Sequence, residues 1–183
     1  SYDATTNRIT TSGYQYDAAG NQTRAKAADG VTWLRYEYDA ANRIQVVKRD
    51  SDGAALQAFQ YGSTNARLMD LDYGFGYLKI FAAVGGTTLA EYTEYYGNTP
   101  TWTKSYNYLG DSVISTISNI NGSESTEFNH PDRLGTRLTT NQTAGTSAEQ
   151  TTLPFGTALN AESTTSLTKR FTSYERSNQT GLD

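Results

Sequence analysis

Cysteine is absent from these 183 residues. That excludes disulfides, thiol catalysis and thiolate metal sites together, and it leaves the redox compartment open. One His is too few for a zinc site, and any Ser-His-Asp arrangement would have to use His130. Only three Pro occur, so the chain is not a proline-rich disordered linker. Charged residues make up 19%, the net charge is −4 and no basic run appears, so nucleic acid is not an expected partner. No apolar stretch approaches the ~20 residues of a membrane-spanning helix. There is no initiator Met, no charged n-region and no h-region. The chain starts and stops inside patterned sequence, which reads as a segment of something longer or a processed product. "GFG" at 74–76 lacks the strand–turn–helix context of a phosphate loop, and no cofactor is expected.

What is abundant is Tyr (14), Gly (16) and Thr, residues of turns and of pleated, half-buried surfaces. They are organised as a repeat. "YDATTNR" opens the chain at Tyr2 and Asp3. "YDAAGN" follows with Tyr16, Asp17, Gly20 and Asn21, then "YDAANR" with Tyr38, Asp39, Asn42 and Arg43. A degenerate copy, "YGSTNARL", begins at Tyr61. An Asp or Asn opening a turn bonds the backbone two residues on, and Gly or Asn tolerates a left-handed conformation. Each copy therefore reads as a type I turn closed by a left-handed residue, joining two antiparallel strands. Turns are expected near 17–21, 39–43, 50–53 and 62–66. The Tyr before each turn should pack on the neighbouring hairpin with its hydroxyl in water, making a ladder of half-buried rings at Tyr16, Tyr38 and Tyr61. Between turns, Tyr36 and Tyr38 share one strand face, and Ile44, Val46 and Lys48 run back. The fold class is all-β: repeated antiparallel hairpins forming a curved, spiralling sheet.

Other stretches carry weaker signals. His130 lies in "NHPD", which reads as a turn, and suits a hydrogen-bonding role better than a catalytic one. "DSDG" at 50–53 resembles the start of a calcium loop, but position 58 is Ala where a closing Glu is needed, so a hairpin turn is expected. Asp70 and Asp72 share a strand face, expected to be solvated rather than an acid–base pair. "YLKIF" at 77–81 reads as a buried central strand. The tyrosines of "EYTEYYGN" and "SYNYLG" can stack on sugar rings, which makes a surface glycan a possible partner. "NQT" at 21, 141 and 178 and "NGS" at 121 are glycosylation acceptors only in a eukaryotic secretory setting. Residues 142–166 read mostly as loop.

The Tyr-Asp units resemble the RHS/YD repeat. Two later stretches are similar to further segments of that family. "FNHPDRLGTRLTTN" (128–141) carries His130, Asp132, Leu134, Gly135 and Arg137. "LPFGTAL" and "RFTSYERSNQTGLD" carry Pro154, Phe155, Gly156, Arg170, Phe171, Thr180 and Gly181. Arg133 stands where the family has a second His, Ser173 where Gly is usual and Ser177 where Asp is usual. The resemblance implies a spiralling sheet of hairpins that winds into a hollow shell. In bacterial RHS toxins and Tc-type components that shell encloses a toxic domain; in teneurins it belongs to an adhesion receptor. It implies a secreted or cell-surface, non-enzymatic, structural role. Three stretches of one sheet are expected: YD hairpins in 1–70, degenerate hairpins in 71–127 and the family's core-associated segment in 128–183. An adhesive or filament-forming module is the alternative. The expected partners are the rest of its own polypeptide, or further copies paired through strand edges.

Overall fold

The computed structural model describes residues 1–27, 29–132 and 135–149. They form one 13-stranded sheet in which every strand pairs antiparallel with the next in sequence. The first six strands are β1 (Gln15–Tyr16), β2 (Gln22–Lys26), β3 (Trp33–Tyr38), β4 (Ile44–Arg49), β5 (Ala55–Tyr61) and β6 (Arg67–Asp72). The rest are β7 (Tyr77–Val84), β8 (Thr87–Tyr95), β9 (Thr101–Leu109), β10 (Ser112–Ile120), β11 (Ser123–Asp132), β12 (Gly135–Asn141) and β13 (Thr146–Glu149). Turns fall at all four expected places, 17–21, 39–43, 50–53 and 62–66.

Residues directly opposite on paired strands point to the same side. The pairings Ala25↔Leu34, Tyr36↔Val47, Val47↔Gln57, Phe59↔Asp70, Asp70↔Lys79, Lys79↔Thr93, Glu91↔Lys104 and Lys104↔Ser118 therefore run along one face. Over β2 to β5 that face is mainly apolar, with Gln57 a buried polar member. Ala25, Leu34, Tyr36, Val47, Leu56 and Phe59 form a buried cluster, with Tyr14, Tyr38, Ile44 and Tyr61 against it. Val47 and Leu34 are 0% and 1% exposed although no second layer covers them among the described residues. A flat sheet could not bury them. The open sheet curves, and its side chains close over one another. Burying a side chain of this size contributes about 1.5–3 kcal/mol.

Several expectations are revised. Residues 1–14 contain no strand, only an isolated bridge between Tyr2 and Ile9, with Thr-containing turns at 4–6 and 11–13. His130 is in β11, not a turn: it pairs with Leu138, and Pro131 is accommodated by a register shift beside it. Asp70 and Asp72 share a face, but that face is buried, at 6% and 2% exposed. The Gln57 amide donates to Asp70 at 2.8 Å, and Asp72 accepts the Gly74 and Phe75 N–H groups. "YLKIF" is an interior strand, as expected, yet half-buried throughout. Within the stretch read as loop, residues 146–149 form β13. Asn121 and Gly122 both take left-handed φ (52° and 84°), a hairpin turn between β10 and β11.

Candidate functional site

The repeat builds one rim of the sheet. In each unit the turn closes in the same way. The Asp17 N–H donates to the Asn21 carbonyl and the Gly20 N–H to the Asp17 carbonyl. Asp39 with Arg43 and Asn42, and Gly62 with Ala66 and Asn65, repeat that pair of bonds. The fourth residue is left-handed each time: φ is 93° at Gly20, 59° at Asn42 and 62° at Asn65. Asn takes this conformation at lower cost than other side chains, which explains why it alternates with Gly in the motif. In the first copy the turn is one residue longer, with Asp3 bonded to Asn7 and Arg8 and Asn7 at 54°.

The Asp side chains fasten the turns from inside. Asp17 Oδ1 accepts the Asn21 N–H, and Asp39 Oδ1 accepts those of Ala41 and Arg43. Asp3 Oδ1 accepts those of Thr5 and Thr6. All three carboxyls are held below the ordinary aspartate value. For Asp17 the main cause is the Asn21 amide, for Asp39 the Arg43 guanidinium, for Asp3 the Thr6 N–H.

Tyr16, Tyr38 and Tyr61 occupy equivalent places at the ends of β1, β3 and β5, each half-buried. Their hydroxyls are not left to water, as the sequence suggested. Each bonds the backbone where the preceding hairpin leaves its own turn. The Tyr38 hydroxyl donates to the Gln22 carbonyl (2.8 Å), and that of Tyr61 donates to the Ile44 carbonyl (2.9 Å). The Tyr16 hydroxyl accepts the Ile9 N–H (3.0 Å). Curvature brings those backbone atoms within reach. Burial pushes the Tyr38 and Tyr61 hydroxyls to higher pKa, which keeps them donors. Tyr108 repeats the device in β9, donating to the Thr88 carbonyl at 2.7 Å. Sequence reasoning missed it; the signal was a Tyr just ahead of a Gly-Asp turn, in "YLGD". Tyr2 is the exception, 69% exposed and outside the ladder.

The residue after the left-handed position ties each turn to the next. Arg8 lies over the Tyr16 ring at 5.2 Å. The Asn21 amide donates to Asn42 Oδ1 at 2.8 Å. Arg43 lies over the Tyr61 ring at 4.6 Å and donates to Asn65 Oδ1 at 3.0 Å while paired with Asp39. Arg8 was overlooked; its offset within the motif is the clue. Ala66 ends the series. On the opposite rim, Asp50 joins Arg24 and Arg35. Arg24 also stacks on Trp33 at 4.2 Å and donates to the Gly13 carbonyl. Gly13 has φ of 98° and lies so close to Trp33 that a Cβ would sit 2.6 Å from the ring.

Of the later segment, His130 Nε2 is 3.2 Å from the Thr140 hydroxyl, and Asp132, Gly135 and Arg137 lie on the paired strands β11 and β12. Leu134, Pro154, Phe155, Gly156, Arg170, Phe171, Thr180 and Gly181 lie outside the described residues. No cluster of His, Asp and Glu able to hold a metal occurs among the described residues, and no described helix is long and apolar enough to cross a membrane.

The second half of the sheet curves around an open cavity of about 970 Å³, lined from Lys79 on β7 to Ala148 on β13. Its walls are mixed, polar and apolar surface in near-equal measure, with Lys79, Glu91, Thr93, Lys104, Ser118 and Glu127 among the polar residues that line it. Glu91 accepts the buried Tyr106 hydroxyl. Burial pushes Glu127 up, opposed by Asn141 and Lys104. None of these was singled out from the sequence, although polar residues alternate through "AEYTEY" and "TKSYNY".

Comparison with curated proteins finds no match. Residues 16–55, which run from Tyr16 through the turns at 17–21 and 39–43 to the start of β5, match the family model for the RHS Repeat. That match supports an RHS/YD-repeat assignment for this part of the chain, and the same turn geometry, present at 17–21 and 39–43, recurs beyond it at 62–66.

Proposed function

We propose that this chain is a non-enzymatic segment of an RHS-type shell wall that encloses or scaffolds another polypeptide, of toxin-cargo type, in a bacterial secreted or cell-surface protein. The observation that carries the reading is the sheet itself. Thirteen strands follow one another in strict sequence order, a single layer thick, with successive turns tied by side chains. A wall needs this construction: each hairpin adds a fixed increment, and the curvature accumulates rather than closing a compact domain. The stretches 1–70, 71–127 and 128–183 would be successive parts of that wall. Its partners would be the rest of its own polypeptide, or further copies paired by strand edges.

The experiment is limited proteolysis of the full reading frame containing this chain, followed by mass spectrometry and electron cryo-microscopy. The expected outcome is a polypeptide that resists protease while the shell is intact and is digested once it is opened. Equal digestion of that polypeptide with the shell intact would overturn the reading.

A further inference from the structure

The chain contains one Asn-Gly dipeptide, Asn121–Gly122, and it forms the whole link between β10 and β11. An Asn side chain is an electrophile set next to a backbone nucleophile, the nitrogen of the following residue. Gly leaves that nitrogen open, since no side chain crowds it. The link is exposed, and so are Ile120 and Ser123 on either side. Among the described residues the Asn121 side-chain amide has no hydrogen-bond partner. The other turn asparagines are placed differently. Asn21, Asn42 and Asn65 are held by side-chain hydrogen bonds and are followed by Gln22, Arg43 and Ala66. The Asn98 amide donates to the Tyr95 carbonyl, and Asn141 Oδ1 accepts the Ala144 N–H.

A lock stands beside the link. The Gly122 N–H donates to Asn119 Oδ1 at 2.9 Å. Attack on the side chain needs that nitrogen without its proton, and a nitrogen that donates to an acceptor keeps its proton. Left-handed φ at both residues (52° and 84°) fixes the turn as well, so reaction waits on local opening. We infer that Asn121 is a site of spontaneous deamidation and that Asn119 sets its rate. Released from Asn119, the Gly122 nitrogen gives its proton to solvent and bonds Asn121 Cγ. The Cγ–Nδ2 bond breaks, and the side-chain nitrogen takes a proton from solvent and leaves as ammonia. Water then opens the cyclic imide at either carbonyl, leaving aspartate or isoaspartate. The sum is one water consumed, one ammonia released and one carboxylate gained, with no change of oxidation state. The aspartate product keeps the turn, since Asp also takes left-handed φ. The isoaspartate product carries the main chain through Cβ, one atom longer, and so tight a link has no slack for it. The nearest pairs, Ile120↔Ser123 and Asn119↔Glu124, would loosen first. Asn119, Asn121 and Gly122 all line the cavity, so either product adds a negative charge to its edge. The inference is independent of the proposed enclosure role.

The test incubates the whole chain at mildly alkaline pH and body temperature for weeks, beside a synthetic peptide of residues 117–125. Peptide mass spectrometry with electron-transfer fragmentation follows the conversion of each Asn and separates aspartate from isoaspartate. Asn121 is expected to convert ahead of Asn21, Asn42, Asn65, Asn98 and Asn141, and more slowly in the chain than in the peptide. Asn119→Ala should speed it about two- to tenfold, the factor that one hydrogen bond is worth in opening the turn. Asn119→Asp keeps an acceptor oxygen in the same place and should react at the slow rate of the parent chain. Circular dichroism of each variant checks that the sheet is retained. If Asn121 converts no faster than Asn98 or Asn141, the site is refuted. Equal rates in the chain and the peptide, or a rate unmoved by Asn119→Ala, would remove the lock. Acceleration by Asn119→Asp as large as that by Asn119→Ala would do the same, since it would show that the acceptor oxygen is irrelevant.

Discussion

The strands β1 to β6 and β7 to β13 belong to one sheet but are stabilised differently. In the first part the strands are short, two to seven residues, and the turns are elaborate. Asp caps, left-handed Gly or Asn, and Arg or Asn ties hold them, above an apolar cluster. In the second part the strands run four to ten residues, and two-residue links such as Gly85–Gly86 and Asn121–Gly122 suffice. There the same face buries Glu91, Thr93, Thr116 and Thr139. A short strand has few ladder bonds, so its register must come from the turn and the core. A long strand with a tight turn sets its own register.

The largest test of this contrast is truncation on the shared face. Leu34→Ala should cost about 2–5 kcal/mol in urea denaturation. Thr116→Ala, also buried and accepting a bond from the Asn129 amide at 3.2 Å, should cost about 0.5–1.5 kcal/mol. Similar costs would mean the two halves share one kind of core. Next comes the ladder. Tyr38→Ala should cost about 2–4 kcal/mol, and Tyr38→Phe only the bond to Gln22, about 0.5–1.5 kcal/mol. If Tyr38→Phe matches Tyr38→Ala, the hydroxyl and not the ring carries the ladder.

Acid should separate the halves by position. Asp3, Asp17 and Asp39 have folded values below the unfolded 3.8. Their contribution is therefore fully present above the unfolded value and is lost as pH falls through the folded ones. Hydrogen exchange at pH 7 and near pH 3, corrected for intrinsic rates, should show the turns at 17–21 and 39–43 losing protection before the links at 85–86 and 121–122. Simultaneous loss would remove the turn aspartates from the explanation. The smallest effect is at the end of the ties. Arg43→Ala should cost about 1 kcal/mol, as its contacts are half-exposed. Ala66→Arg should stay within about 0.5 kcal/mol, because the next turn on that rim, Gly85–Gly86, offers no side chain to meet it.

The sequence displayed the turns and the ladder clearly, since both rest on local chemistry: Asp at the first position, Gly or Asn at the fourth and Tyr just before. The hydroxyl partners at Gln22 and Ile44 were not legible, because they depend on curvature, which no local pattern states. The burial of Asp70 and Asp72 was hidden for the same reason. A pair of carboxylates in a strand looks solvated until a neighbouring strand supplies Gln57. His130 was misplaced because "NHPD" has turn composition, and only the pairing with β12 shows Pro131 tolerated at a register shift. The cavity was missed because its residues are ordinary alternating strand positions, gathered only when β7 to β13 bend together.

The one-way ties between turns make the order of the hairpins matter. Each unit presents a reaching side chain on its trailing side and a receiving ring or amide on its leading side, as Arg43 does to Tyr61 and Asn65. Such a chain behaves as a row of cassettes. The interval from Tyr16 to Tyr38, or from Tyr38 to Tyr61, could be duplicated whole and would meet a compatible neighbour at both joints. A duplication out of phase would set two reaching ends or two receiving ends together. Ala66 would then act as a terminator: whatever follows it must align by strand pairing alone.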